Sequence, residues 1–233
     1  MNVFIILPTY NESKNIRELI ARIFALAIPG LQILVVDDGS PDGTGQLVEE
    51  MVKNESRLHI LHRQEKRGLG PAYLAGFQYC LDQGADYLFE MDADFSHDPK
   101  YIPVMLEAAK QYDLVLGSRY IKGGGVRNWN FTRRLISKFG NIYARAILFS
   151  SVKDMTGGFK CFNRRVLESL DLNNIESLGY NFQIELTYKV LNQGFTIKEV
   201  PIIFTERKGG KSKFNLGIVL ESFIKVIQLR FKK

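Results

Sequence analysis

Short apolar runs at residues 3–7, 33–36, 58–61, 87–91 and 114–116 alternate with stretches whose apolar residues recur every three or four positions. The first stretch carries Ile16, Leu19, Ile20, Ile23 and Phe24, the second Leu47, Val48, Met51 and Val52, the third Leu69, Tyr73, Phe77 and Leu81. Consecutive apolar residues suit a strand covered on both faces, and a stripe at helical spacing suits a helix packed on one side. Their alternation is the pattern of βαβ units and predicts an α/β fold, a mainly parallel central sheet flanked by helices. Asp98 before Pro99 marks a further helix start, because a carboxylate caps the first turn and proline has no N–H to satisfy there. Beyond residue 120 the pattern changes to a Gly-rich loop, a basic helix near 135–149, a strand near 159–163, a helix near 182–191 and a strand near 196–204.

In such sheets ligands bind beyond the carboxyl ends of the strands. Three polar segments fall there: Pro8-Thr9-Tyr10-Asn11-Glu12, Asp37-Asp38-Gly39-Ser40 and Asp92-Ala93-Asp94. Alternation along an extended backbone brings Asp92 and Asp94 to the same side. Hard cations such as Mg²⁺ take one or two carboxylates together with phosphate oxygens, so the motif suggests a metal-bound nucleotide diphosphate. Turn and cap roles for Asn11-Glu12, Asp38-Gly39-Ser40 and a capping Thr44 remain open beside that reading.

With 233 residues, 45% of them hydrophobic, the chain can build a sizeable core. Cys80 and Cys161 lie inside apolar segments and read as reduced core residues. The first apolar run is too short for a signal peptide or a membrane span, which predicts a protein of the cytosol or of the cytosolic face of a membrane. The net charge of +6 is local. Residues 114–153 hold Arg119, Lys122, Arg127, Arg133, Arg134, Lys138, Arg145 and Lys153 and no acidic residue, which points to an anionic partner. Residues 214–233, following a domain over 1–213, are helix-compatible and carry Ile218, Phe223, Ile224, Ile227 and Phe231 with Lys225 and Arg230. Both a helix packed on the core and an interfacial or partner-docking helix fit this composition.

Ordered blocks extend these signals along nearly the whole chain: Leu7-Pro8-Thr9-Tyr10-Asn11-Glu12, Val36-Asp37-Asp38-Gly39-Ser40, Asp92-Ala93-Asp94 and Gly117-Ser118-Arg119-Tyr120, then Gly123-Gly124-Gly125-Val126-Arg127-Asn128-Trp129, Arg133-Arg134-Leu135-Ile136-Ser137, Thr156-Gly157-Gly158-Phe159-Lys160 and Glu206-Arg207-Lys208-Gly209-Gly210-Lys211-Ser212-Lys213. The chain resembles the family 2 glycosyltransferases and, more narrowly, the dolichol-phosphate (polyprenol-phosphate) mannose synthases. The resemblance implies a GT-A fold and inverting transfer of mannose from GDP-mannose to a polyprenyl or dolichyl phosphate. It also implies a donor pocket of Pro8, Tyr10, Glu12, Val36, Asp38, Asp92, Ala93, Asp94, Arg119, Arg207 and Lys213. Asp92 and Asp94 would hold Mg²⁺ or Mn²⁺; where some members place a further ligand two residues on, this chain has Ser96, a weaker one, and that contact stays open. Arg119, Arg133, Ser137 and Arg207 would handle the acceptor phosphate, and Asp94, Arg119 and Arg133 would carry the chemistry.

A phosphate monoester with a second pKa of about 6 is largely dianionic near neutrality, so it needs orientation and charge relief rather than a strong base. Arginine forks suit its oxygens. His97 is assigned to the helix entry rather than to a metal, while Asp154 fits both an approach to the acceptor and a pairing with a nearby arginine. Leu135, Ile136, Phe139, Ile142 and Tyr143 on the basic helix are expected to meet a membrane surface, alone or with a separate small membrane subunit. The same lipid transfer from UDP-glucose or another nucleotide sugar stays open. A basic nucleic-acid-binding protein is a more distant reading, because the carboxylate edge would repel a phosphate backbone.

Overall fold

A computed structural model describes residues 1–64, 68–175, 177, 179–206 and 216–231. The elements run β1 (Val3–Thr9), α1 (Ile16–Phe24), β2 (Leu31–Asp37), α2 (Thr44–Val52), β3 (Leu58–His62), α3 (Leu69–Asp82), β4 (Tyr87–Glu90), α4 (Ile102–Ala109), β5 (Leu114–Ser118), β6 (Gly125–Arg127), α5 (Phe131–Leu148), β7 (Lys160–Asn163), α6 (Arg164–Ser169), α7 (Tyr180–Asn192), β8 (Ile197–Pro201), β9 (Ile203–Thr205) and α8 (Leu216–Phe231). Seven strands form the main sheet in the order β3-β2-β1-β4-β7-β5-β8, and β6 pairs with β9 in a small second sheet.

Strand β1 explains why the sheet is covered on both faces. Val3, Ile5 and Leu7 pack into the cluster under α1, α2 and α4. Phe4 and Ile6, alternating with them, pack into the cluster under α3, α6 and α7. Successive side chains of a strand point to opposite faces, so an unbroken apolar run is what a central strand needs. Helix α3 sits so close to β1 that a Cβ on Gly76 would lie 2.7 Å from Ile6. The chain moves from β1 outward through β2 and β3, then returns to place β4 on the other side of β1. The ligand crevice of an open α/β sheet forms at such a reversal.

Two sequence expectations change here. Strand β7 runs antiparallel between β4 and β5, whereas β1–β2, β1–β4, β2–β3 and β5–β8 are parallel. Strand direction leaves no trace in periodicity, so the reversal was not readable. The strand expected over 196–204 is divided: β8 ends at Pro201, and β9 leaves the main sheet to pair with β6. Proline has no N–H to extend a ladder, and the following Ile202 N–H donates instead to the Ser118 carbonyl at 3.0 Å.

At the seam made by β7, Glu90 faces Lys160 in register, both fully buried, with 3.8 Å between Oε2 and Nζ. Lys160 Nζ also donates to the Gln183 carbonyl at 3.1 Å and to Gln183 Oε1. Burial raises the Glu90 pKa, opposed by Lys160, and lowers that of Lys160, opposed by Glu90. Helix α8, expected as a terminal amphipathic helix, packs on α5 and α7 and buries Val226. The join between the expected domain and this helix lies outside the described residues. Among the described residues no helix is long and apolar enough to cross a membrane.

Candidate active site

The turns after β1 and β2 are stitched together by backbone N–H groups that donate into side chains. Asn11 N–H donates to Ser40 Oγ at 3.0 Å, Glu12 N–H to Thr44 Oγ1 at 3.0 Å and Ser13 N–H to Asp42 Oδ2 at 3.0 Å. Asp37 accepts from Thr9 Oγ1 at 2.9 Å and from Ser40 through both its N–H at 3.0 Å and its hydroxyl at 2.5 Å. Thr44, expected as a cap, is instead the first residue of α2. Gly43 occupies the cap in the left-handed region, and the Asp42 carboxylate takes the Thr44 N–H. The helix start is thereby tied to the β1 turn. Tyr10 stands partly exposed at this rim, and Glu12 Oε2 accepts from Asn15. The Val36 side chain lies in the core against α3, so its backbone alone is left to face a ligand. Asp38 is buried and paired with Arg63 at 2.8 Å.

The aspartate turn is the next element along the edge. Asp92 Oδ1 accepts from Tyr73 at 3.3 Å, and its N–H donates to His97 Nδ1 at 3.1 Å. Asp94 Oδ1 accepts the Ser96 N–H at 3.0 Å across Phe95, which adopts φ +61°. That left-handed backbone is uncommon for an aromatic residue and closes the turn tightly. Ala93 is buried between the two carboxylates. Withdrawal from water, then repulsion from Asp94, and further off from Glu90 and Glu12, pushes the Asp92 carboxyl up to about 8, against the Tyr73 hydrogen bond. Burial holds the His97 imidazole down at about 4, in keeping with a neutral ring whose Nδ1 accepts from Asp92 N–H.

Asp92 and Asp94 set two carboxylates within one turn at this edge. No group of three or more His, Cys, Asp or Glu is placed to hold a metal among the described residues. A pair of carboxylates fits a hard divalent cation that takes its remaining ligands from water or phosphate oxygens.

The arginines lie across the same edge. Arg119 is buried, and its fork is taken by Asp154: Nε at 2.7 Å, Nη2 at 2.6 Å, with the backbone N–H adding 2.9 Å. Of the two roles left open for Asp154, the structure shows the pairing with an arginine. Arg119 Nη2 also donates to Thr156 Oγ1 at 2.7 Å. Gly124 supports this backbone from close range, since a Cβ there would lie 2.4 Å from the Ser118 carbonyl. Arg133 pairs with Glu206, both partly exposed, and its guanidinium lies 4.4 Å from the centre of the Trp129 ring. Ser137 Oγ accepts from the Tyr120 hydroxyl at 2.6 Å. Arg207 and Lys213 lie outside the described residues.

Strand β9 joins the two sides. Thr205 N–H donates to the Ser96 carbonyl at 3.2 Å, and Glu206 N–H donates to the Arg127 carbonyl at 3.2 Å. Along the same path Phe159, His97, Phe204 and Trp129 touch in series, with ring centres 5.0, 5.4 and 5.6 Å apart. The carboxylate turn and the arginines thus share one edge of the sheet.

The family model for Glycosyl transferase family 2 matches residues 4–171. The chain belongs to this family. It is similar to the polyprenol monophosphomannose synthase of Mycolicibacterium smegmatis, with 46% identity over 226 residues, 96% of this chain and 85% of that protein. The undecaprenyl-phosphate mannosyltransferase of Micrococcus luteus is 44% identical over 226 residues, 97% of this chain and 93% of that one. Among solved structures, glucosyl-3-phosphoglycerate synthase from Mycobacterium tuberculosis with Mn²⁺, UDP-glucose and phosphoglyceric acid aligns at a TM-score of 0.69 and 17% identity, over 99% of this chain and 80% of that one. At that identity the likeness establishes the GT-A fold alone.

In this family 2 glycosyltransferase the site expected from sequence is contacted by residues that the sequence did not assign to it. Arg63 and Tyr73 contact Asp38 and Asp92 from distant elements, and nothing local marks them. His97, assigned from sequence to the helix entry, accepts the Asp92 N–H and packs between Phe159 and Phe204, so its ring links the aspartate turn to β9. Trp129 entered the sequence reading only as the last residue of the Gly123–Trp129 block, with no contact assigned to it.

Proposed function

We propose that this glycosyltransferase moves mannose from GDP-mannose to a polyprenyl phosphate, giving polyprenyl-phosphate mannose and GDP with inversion at the anomeric carbon. The observation that carries the reading is the pairing of the Asp92–Asp94 rim with the Arg119–Trp129–Arg133 group on one sheet edge. The names of relatives at 44–46% identity support the lipid phosphate and the sugar.

In this reading Pro8, Tyr10, Glu12, Asp38 and the Val36 and Ala93 backbones bind the nucleotide. Arg63 fixes the Asp38 carboxylate toward the base or ribose. Asp92 and Asp94 hold Mg²⁺ or Mn²⁺, which neutralises charge on the departing diphosphate. Arg133, Ser137 and Arg207 orient the acceptor phosphate, and Lys213 approaches the donor. Arg119, locked by Asp154, contributes a fixed positive charge beside both phosphates. A dianionic acceptor attacks the anomeric carbon without giving up a proton, which agrees with Asp154 being committed to Arg119 and not available as a base.

The lipid tail calls for an apolar approach. Phe131, Leu135, Phe139 and Ile142 form an exposed stripe on α5 flanked by exposed Arg134 and Lys138, and Ile224, Ile227 and Phe231 are exposed on α8. We read this as a face that lies on an anionic bilayer, each basic residue near the surface contributing about 1 kcal/mol. Tyr143 does not belong to it, since its hydroxyl donates to the Phe223 carbonyl at 3.0 Å.

A product assay with a short polyprenyl phosphate and a panel of GDP- and UDP-sugars, with and without Mg²⁺, tests the reading. Mannosyl lipid and GDP are expected from GDP-mannose only when metal is present. Turnover of UDP-glucose would replace the donor, and the absence of any lipid product would overturn the function.

A further inference from the structure

The chain has one tryptophan, and it stands between the two site arginines. The centre of the Trp129 ring lies 4.4 Å from the Arg133 guanidinium and 5.6 Å from that of Arg119. Phe204 meets the same ring edge-on at 71°, and its own ring lies 5.6 Å from Arg119. Among the described residues the buried indole N–H meets no hydrogen-bond acceptor. A buried donor left unmet costs stability, so hydrogen bonding does not explain an indole at this position. What the ring offers is its face.

The two arginines are held differently. Arg119 spends its N–H edge on a fully buried carboxylate. Among the described residues the Arg133 fork meets one carboxylate, Glu206, in a pair whose side chains are 21% and 32% exposed. Water reaches this pair, unlike the Arg119–Asp154 pair, so an incoming phosphate can compete for the Arg133 fork. The guanidinium carbon lies over the ring face, and a cation–π contact of this kind needs none of the N–H donors. The ring can therefore fix the direction of Arg133 without using any of the donors a phosphate needs.

We propose that Trp129 is a positioning residue whose ring holds the Arg133 fork toward the acceptor phosphate while Phe204 and Arg119 brace the ring from behind. The proposal rests on the reading of the acceptor as a lipid phosphate, and its test separates the two.

The full-length protein, with Mg²⁺, GDP-mannose and a short polyprenyl phosphate, is compared with Trp129→Leu and Trp129→Phe. Trp129→Leu is expected to raise the acceptor KM about tenfold while the donor KM stays within about twofold, a split that general misfolding would not produce. Trp129→Phe retains an aromatic face and loses no hydrogen bond, so its acceptor KM is expected within about threefold of wild type. The emission of the sole tryptophan gives a second measure that does not depend on the Leu variant folding. Titration of the wild type with the short polyprenyl phosphate should change it saturably, and Arg133→Gln should abolish that change. A wild-type acceptor KM in Trp129→Leu, equal impairment of the Phe and Leu variants, or constant emission at concentrations that saturate turnover would each sink the proposal while leaving the function intact. If the wild type makes no mannosyl lipid, the function falls and this proposal with it.

Discussion

The donor side of the edge is built from backbone and short polar side chains, the acceptor side from long charged and aromatic ones. Between β1 and β2, five of the hydrogen bonds quoted above tie Asn11, Glu12, Ser13, Thr9 and Thr44 to acceptors within one turn of a strand end. Across the sheet, Arg119, the Trp129–Arg133 stretch and Phe204 are brought together from three separate segments by ion pairs and ring contacts. Hydrogen bonds between the two neighbouring turns make a rigid socket for a nucleotide. On the other side the buried Arg119–Asp154 pair stays fixed, while the more exposed Arg133–Glu206 pair can trade its carboxylate for a ligand phosphate.

The sharpest way to break this contrast is Asp94→Asn, which keeps the turn's size but removes a charge. Transfer should fall about a thousandfold, equal to about 4 kcal/mol of transition-state stabilisation, while thermal unfolding stays near wild type. A rate within a few-fold of wild type in the product assay would show that the rim is not the metal seat. Next in size is Asp154→Ala, which leaves the Arg119 guanidinium buried without its carboxylate. Loss of one partner from a buried pair costs about 3–5 kcal/mol, so a large drop in the urea midpoint is expected. An unchanged midpoint would mean that Arg119 is better hydrated than its burial indicates.

The apolar face can be sharpened separately. Phe139→Glu, with the residue 59% exposed, should weaken flotation with anionic liposomes about tenfold and leave turnover of a short soluble acceptor unchanged. Equal flotation of both proteins would remove the bilayer from the account. The smallest expected effect is on the donor side. Asp42 is lowered to about 2 by hydrogen bonds from Thr44 and Ser13 against the opposing effect of burial. A carboxyl depressed from 3.8 stabilises the fold above that pH and loses this contribution as pH falls through about 2. Asp42→Ala should therefore cost about 1 kcal/mol at neutral pH, and the difference from wild type in thermal unfolding should vanish in strong acid.

The same contrast decides what could be read from the chain. The donor edge was legible because its signals are local: an apolar run ending in Asp92-Ala93-Asp94, or in Pro8-Thr9-Tyr10, states both the strand and what lies at its end. Asp98-Pro99 also behaves as expected, with Asp98 Oδ1 accepting the Lys100 N–H. The acceptor side was legible only as a residue set, through an acid-free basic window and motif resemblance. That Arg119 faces Asp154, 35 positions away, or that Phe204 braces Trp129, depends on the reversal of β7 and the exit of β9 at Pro201. Neither event has a period. Asn130, whose side chain accepts the Arg133 N–H at 2.8 Å and starts α5 earlier than expected, was a readable cap that the focus on basic residues obscured.

Among the described residues, strand β7 is the one strand that joins the β3-β2-β1-β4 group to the β5-β8 pair in the main sheet. Four residues, Lys160–Asn163, therefore decide whether the molecule has one sheet or two. During synthesis the first four strands can pair before β7 has emerged, so the nucleotide socket can take shape early, whereas the phosphate-handling side must wait for a late insertion. The buried Glu90–Lys160 pair then acts as a checkpoint on that insertion, because a slip of one residue would strand both charges opposite apolar neighbours.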